Sequence, residues 1–514
     1  MAPAFLGRAT GLTGTQSHLD HRTVCLWLWV VDRVSLAGMN TNELSFPAPA
    51  HWINGRPAPV DGPTIDVVNP ATGAVVATVP DGSAADVDRA VSAAVAAFPA
   101  WAATAVAERA AVLRRVAAGL GERGQEIAAT MTAEMGAAIS FTRAVVPGLP
   151  PMTIESMAGV AETFSWSEEI ANSLIVREPI GVVGAIVPWN FPIQQIVTKV
   201  VPALLAGNSV ILKPAEAAPL AGRIFAEVAA AAGLPAGVLN VVHGTGPVVG
   251  EAIAAHPDID MVSFTGSTRA GKRVAAVAAG TVKRVALELG GKSANIILPD
   301  ADLKNAVSSG LASAWANNGQ ICGAYTRMLV PAGLQAEIVD LLREAAAEYL
   351  VGDPDDESTR LGPLASETQR ERVAGYIERG VADGATLVVG GPGRPAGLET
   401  GAYVRPTIFA DVDPDSAIAR EEIFGPVLAV IPYTGDDHAV QIANNTIYGL
   451  NGAVFGEAEH AMAIAKRMRT GQVDVNGGRF NPLAPFGGYR QSGNGREYGR
   501  LGLEEFLETK AIQR

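Results

Sequence analysis

Cys322 lies in Asn318-Gly319-Gln320-Ile321-Cys322-Gly323-Ala324, directly after a helical pattern and among small residues. Free cysteines more often fill a core. Glycine and polar neighbours instead give a nucleophile the access that a reactive thiolate needs. Glu288 closes an apolar run in Leu287-Glu288-Leu289-Gly290-Gly291-Lys292. A carboxylate at the C-terminal end of a parallel strand lies where open α/β sheets bind ligands, although a strand end also carries ordinary surface carboxylates. Asn190 stands between two prolines in Pro188-Trp189-Asn190-Phe191-Pro192, where its amide serves either as an oxyanion donor or as a turn former. In Phe264-Thr265-Gly266-Ser267-Thr268, a strand ends and a helix begins, so backbone N–H groups point at an anion unless the turn is a plain connection. The one literal G-x-G-x-x-G, Gly119–Gly124, follows a helical pattern and reads as a helix end.

The elements that must hold these residues are legible from periodicity. An alanine-rich helix is expected from the capping box Ser83/Asp86 to Phe98, with Pro99 ending it, followed by helices over Thr104–Leu120 and Gln125–Met135. Strands are expected at Gly181–Val187, Ser209–Leu212, Leu239–Val242, Met261–Phe264 and Arg284–Glu288. Helices alternate with them at Gln194–Leu205, Pro219–Ala232, Pro247–His256 and Thr268–Ala279. That alternation means βαβ units and a parallel sheet. A second α/β stretch runs from Ala294 to about Val475. Its strands are Ala294–Leu298, Arg327–Val330, Thr386–Val389, Leu428–Ile431 and Gly452–Phe455, and its helices Asp302–Asn317, Leu334–Leu350, Glu367–Asp383 and Glu459–Arg469.

Taken together, the motifs become specific. Pro188-Trp189-Asn190-Phe191-Pro192, Lys213-Pro214-Ala215-Glu216, Phe264-Thr265-Gly266-Ser267-Thr268, Glu288-Leu289-Gly290-Gly291-Lys292, Gly319-Gln320-Ile321-Cys322 and Glu421-Glu422-Ile423-Phe424-Gly425-Pro426 occur in this order. In content and spacing the chain resembles the NAD(P)-dependent aldehyde dehydrogenase superfamily from about Trp52 to the C-terminus. The resemblance implies an α/β fold with a Rossmann-like cofactor domain, a catalytic domain and a small β oligomerisation arm. It implies Cys322 as the nucleophile, Asn190 as oxyanion donor, Glu288 as the base that activates water, and Lys199 close by. Lys213 and Glu216 match residues at the adenosine ribose. Trp189, Thr265, Gly266 and Ser267 match the pyrophosphate region, and Glu422 with Phe424 the nicotinamide end. Phe191, Gln194, Thr198, Phe480 and Phe486 match the substrate wall. A carboxylate at Glu216 accepts from a free 2′-hydroxyl and repels a 2′-phosphate, so NAD is expected over NADP. Ala294 and Arg490 depart from the family's usual proline and lysine without touching a chemical role.

The implied domains are residues 39–156 and 178–290 for NAD binding, 291–495 for catalysis, and 157–177 with 496–514 for an arm joining a homodimer or homotetramer. Residues 1–38 match nothing in the family and read as a disordered tail, or as an extension upstream of a start at Met39. Composition agrees with this class. Length alone, 514 residues, suggests two to four domains. Net charge is −13, from 39 basic and 52 acidic residues, which disfavours nucleic acid and anionic membranes as partners. The two cysteines, Cys25 and Cys322, make neither a disulfide scaffold nor a cysteine-rich zinc site, so no metal is expected. No apolar run reaches the ~20 residues of a membrane helix, and a cytoplasmic location is expected. A CoA-acylating semialdehyde dehydrogenase is the nearest alternative, yet such enzymes typically lack the glutamate present here as Glu288. A non-catalytic member of the fold, or a Cys-His hydrolase, would leave the intact motif set unexplained.

Overall fold

The computed structural model describes residues 39–514; the reading of residues 1–38 lies outside them. Among the described residues, two seven-stranded sheets organise the chain. In the first, strands Arg284–Glu288, Met261–Thr265, Val182–Ile186, Ser209–Lys213 and Leu239–Val241 run parallel in that spatial order. The antiparallel pair Ala50–Ile53 and Arg56–Pro59 extends its edge. Strand Val182–Ile186 is buried along its whole length, because helices cover both faces of a parallel sheet. In the second sheet, strands Thr407–Ala410, Val427–Tyr433, Arg327–Pro331, Ala294–Ile297, Gly452–Phe455 and Asp474–Val475 are parallel, and Thr386–Val389 joins antiparallel at the edge. A third, three-stranded sheet pairs Leu507–Gln513 with Ser173–Pro179 and that strand with Ser167–Ile170. Among the described residues, no helix is long and apolar enough to cross a membrane.

Several elements differ from the pattern-based expectation. Helix Ala84–Ala102 runs through Pro99 instead of stopping there. Its last turn is held by Ala103 N–H donating to Pro99 O at 3.2 Å, and by buried Trp101, whose indole donates to Leu204 O at 3.1 Å. That packing outweighs the hydrogen bond a proline forfeits. The start of the cap is as read, with Ser83 N–H donating to Asp86 at 2.8 Å. Met157, the expected start of the arm, lies within helix Leu149–Thr163, and Met157, Ala158 and Ala161 are buried in the core of the first sheet. Helix Gly499–Glu504 likewise buries Leu503 in that core, so only Leu507–Gln513 of the C-terminal segment enters the three-stranded sheet. The glycines of Gly119–Gly124 sit where helix Val106–Glu122 gives way to Gly124–Met135, the bland role assigned to them.

His460 staples the outer side of the second sheet. Its Nδ1 lies 2.8 Å from Asp300 Oδ2 and its Nε2 2.8 Å from Asp436 Oδ2, and hydrogen bonds to these aspartates raise the imidazole pKa above the usual 6.5. A histidine held protonated in the folded state contributes stability that is full below its unfolded pKa and fades as pH rises through the folded one. His460→Gln is therefore expected to lower the melting temperature by a few degrees at most, as suits a surface pair. The deficit should be larger in mildly acidic than in alkaline buffer, as thermal melts in both will show.

Candidate active site

Cys322 follows a short loop with an unusual backbone. Asn317 and Asn318 adopt φ of +50° and +59°, and Gly319 follows at +73°. Asparagine tolerates the left-handed region, and a Cβ at Gly319 would lie 2.2 Å from the Gly425 carbonyl carbon and oxygen, so only glycine fits there. The loop is tied from several directions. Asn317 Nδ2 donates to Asn190 O at 2.7 Å, and Asn318 Nδ2 to Pro363 O at 2.8 Å. Gly362 N–H donates to Asn318 Oδ1 at 2.9 Å and Ala365 N–H to Gln320 Oε1 at 3.0 Å. Backbone strain held by its surroundings in this way is common where a reacting group must be presented.

The opposite wall comes from the first sheet. The turn after strand Val182–Ile186 carries Trp189, Asn190 and Phe191 into helix Pro192–Ala206. Asn190 Nδ2 donates to Gln320 O at 2.8 Å, which orients the amide and leaves its second hydrogen uncommitted. A cavity of about 600 Å³ opens here, lined by Cys322, Asn190, Phe191, Gln194, Phe480 and Phe486 among others. Gln194 Nε2 bonds Thr153 Oγ1 at 3.0 Å and Tyr498 OH at 2.9 Å. Thr198 does not line the cavity, contrary to expectation. One helical turn beyond Gln194 it is buried, and its hydroxyl bonds back to Gln195 O at 3.3 Å, while Gln195 takes a place on the wall.

Glu288 is gripped by the glycine-rich C-terminal segment. Leu289 N–H donates to Ser492 O at 2.9 Å, and Phe486 and Glu497 exchange backbone hydrogen bonds of 2.8 Å. Gly487, at φ +151°, makes room for the carboxylate: a Cβ there would lie 2.6 Å from Glu288 Oε1. Both Glu288 carboxylate oxygens are enclosed without a hydrogen-bond partner among the described residues. Burial, then the nearby Glu497 charge, pushes its pKa well above the usual carboxylate value. Glu288 is not among the residues that line this cavity, and its charge is one of the carboxylate charges acting on Cys322. Lys199 pairs with Glu497 at 2.6 Å, and both are buried. Burial first, then the carboxylates Glu422, Glu288 and Glu497, pushes the Cys322 thiol up to about 12. The resting thiol is therefore protonated and needs a base or a nearby positive charge to become nucleophilic.

The remaining residues stand at or just beyond the C-terminal ends of the first sheet's strands, except Glu422 and Phe424, which come from the segment before strand Val427–Tyr433. Lys213 ends its strand and lies 3.2 Å from Glu216, whose Oε1 accepts from Gly246 N–H at 3.4 Å. Thr265 and Gly266 close strand Met261–Thr265, and Ser267 caps helix Thr268–Ala278 by accepting from Ala270 N–H at 3.3 Å. Trp189 and Phe424 meet edge-to-face at 5.5 Å. Glu422 accepts from Gly291 N–H at 3.0 Å, and its burial lifts the carboxyl to about 7. Glu216 and Glu422 carry carboxylate oxygens able to accept from hydroxyl groups, and the backbone N–H groups at the start of helix Thr268–Ala278 are oriented to meet an anion. Sequence reasoning gave no role to Glu497, Gln320, Tyr498 or Arg327. Arg327 is fully buried and donates to Lys292 O at 2.9 Å, Ile442 O at 2.9 Å and Ala443 O at 2.8 Å, fixing the segment after Glu288. A charged residue inside the apolar strand pattern was its only signal. Among the described residues no cluster of His, Cys, Asp or Glu is arranged to hold a metal.

Two mostly parallel sheets bring together a cavity-lining thiol, an oriented asparagine amide and an enclosed glutamate. The chain belongs to the aldehyde dehydrogenase family, whose model matches residues 58–512. It is 48% identical over 451 residues to a 3-succinoylsemialdehyde-pyridine dehydrogenase of a Pseudomonas species, covering 87% of this chain and 94% of the relative. A Pseudomonas syringae aldehyde dehydrogenase C variant, solved with NAD+ and octanal, superposes with a TM-score of 0.89 at 52% identity, covering 91% of this chain and 96% of the other. A Mycobacterium tuberculosis aldehyde dehydrogenase complexed with NAD+ gives 0.88 at 44% identity, over 91% and 98%.

Proposed function

We propose that this chain oxidises an aldehyde to its carboxylic acid with NAD, through a covalent intermediate on Cys322. The observation that carries the reading is the shared cavity wall on which Cys322 and the oriented Asn190 amide meet. Loss of the thiol proton lets Sγ attack the carbonyl carbon, and the free Asn190 N–H with the Cys322 backbone N–H holds the resulting oxyanion. Bound NAD supplies a hydride acceptor, held by Lys213 and Glu216 at one end and by Glu422 and Phe424 at the other. Departure of hydride leaves a thioester on Cys322. Glu288 takes a proton from water, hydroxide adds to the thioester, and the acid leaves as the thiol is restored. The sum is aldehyde, NAD+ and water to acid, NADH and a proton. Lys199 and Glu497 border Glu288 and set its charge environment.

NADH formation across a panel of aldehydes, octanal included, tests the reading; no NADH with any of them would overturn it. A strict requirement for coenzyme A, with acyl-CoA as product, would instead favour the acylating alternative. At the adenosine end, Glu216→Gln removes the charge facing the ribose. It is expected to narrow the NAD-over-NADP ratio of kcat/KM by about tenfold, measured with both cofactors at saturating aldehyde. The three-stranded sheet, with Ile170 and Ile512 exposed, supports an oligomerisation arm and a homodimer or homotetramer, which light scattering will distinguish.

A further inference from the structure

Asp474 is a carboxylate that the reaction above does not use. It sits on the edge strand Asp474–Val475 of the second sheet, is 6% exposed, and lines the same cavity as Cys322. Tyr325, three residues after the nucleophile, donates its hydroxyl to Asp474 Oδ2, and Gln472 Nε2 approaches Oδ1 at 3.4 Å. Both donors are neutral, and the second contact is long for a hydrogen bond. Among the described residues no cation pairs with Asp474, whereas Glu497, the other carboxylate of the wall, is matched by Lys199 at 2.6 Å.

An enclosed carboxylate without a counter-charge is costly, and a ligand that brings a cation offsets that cost. We propose that Asp474 determines specificity by receiving a protonated amine or similar cationic nitrogen carried by the aldehyde substrate. The proposal rests on the reading of the cavity as an aldehyde site. About 600 Å³ is within the range of small-molecule sites and leaves room for such a group beside the reacting carbonyl. Arg360 also borders the cavity and would oppose a cation, but it is exposed, where water and salt screen its charge. Asp474 is enclosed and screened far less.

The test compares 4-(dimethylamino)butanal, whose nitrogen is protonated at neutral pH, with its carbon isostere 5-methylhexanal, using NAD and the full chain. The wild type is expected to favour the ammonium aldehyde in kcat/KM. In Asp474→Asn, which keeps the side chain's shape and an acceptor for Tyr325, the ratio between the two aldehydes should fall by about tenfold or more. The change should be carried mainly by KM for the ammonium aldehyde. A ratio equal to that of the wild type would overturn the proposal and show that the carboxylate only anchors Tyr325. So would a wild-type preference for the isostere, which would leave the aldehyde reading standing. If the wild type oxidises neither these two nor octanal, the aldehyde reading itself fails and takes this proposal with it.

Discussion

Cys322→Ala is expected to abolish aldehyde-dependent NADH formation, with kcat falling by at least about 10⁴-fold as for other nucleophile deletions. The variant should still bind NAD, because Lys213, Glu216 and Ser267 stand at or just past the strand ends of the first sheet, and the Cys322 loop is held by Asn190 and Pro363 instead. A fluorescence titration with NAD on the folded variant checks the second half of this expectation. Retained turnover would remove the thiol from the mechanism. Alanine removes only the Sγ of a side chain that lines the cavity and is a free cysteine.

Glu288→Gln should leave thioester formation largely intact while slowing hydrolysis by about 10²- to 10³-fold, the usual worth of a positioned base. The signature is a pre-steady-state burst of NADH followed by slow turnover. Because burial holds the Glu288 pKa well above the ordinary carboxylate value, its basic form gains population only as pH rises through that elevated value. Wild-type deacylation should therefore climb with pH, and the glutamine variant should lose that limb. Unchanged steady-state turnover, or a pH profile identical to the wild type's, would count against Glu288 as the base.

Much of the fold is legible in the sequence alone. The alternation of apolar runs and helices placed the five parallel strands of the first sheet, and Ser83 with Asp86 marked a helix start. Two short strands were not legible: Thr407–Ala410, one strand in from an edge, and Asp474–Val475, at the opposite edge, are four and two residues long, too brief to show a period. Pro99 misled because a local rule for helix ends does not know about the pocket that holds Trp101. At the site, residue type identified Cys322, Glu288 and Asn190 as candidates. The partners that hold them were hidden, since Gln320, Ser492 and Arg327 act through contacts 45 or more residues away in sequence in several cases, as between Gln320 and Ala365. Thr198 shows the converse, a position on the right helix whose side chain turns back to its own backbone.

The loop before Cys322 carries one more consequence. Its asparagines reach the turn of one sheet through Asn190 and the segment at 362–365 through Pro363, Gln320 accepts from Ala365 N–H in that same segment, and the cysteine itself feeds a strand of the other sheet. Neither half of the molecule contains a working centre. Cys322 and the Asn190 amide share one cavity wall only when both sheets have folded and docked. On the proposed mechanism, assembly of both sheets is therefore a precondition for chemistry at the thiol.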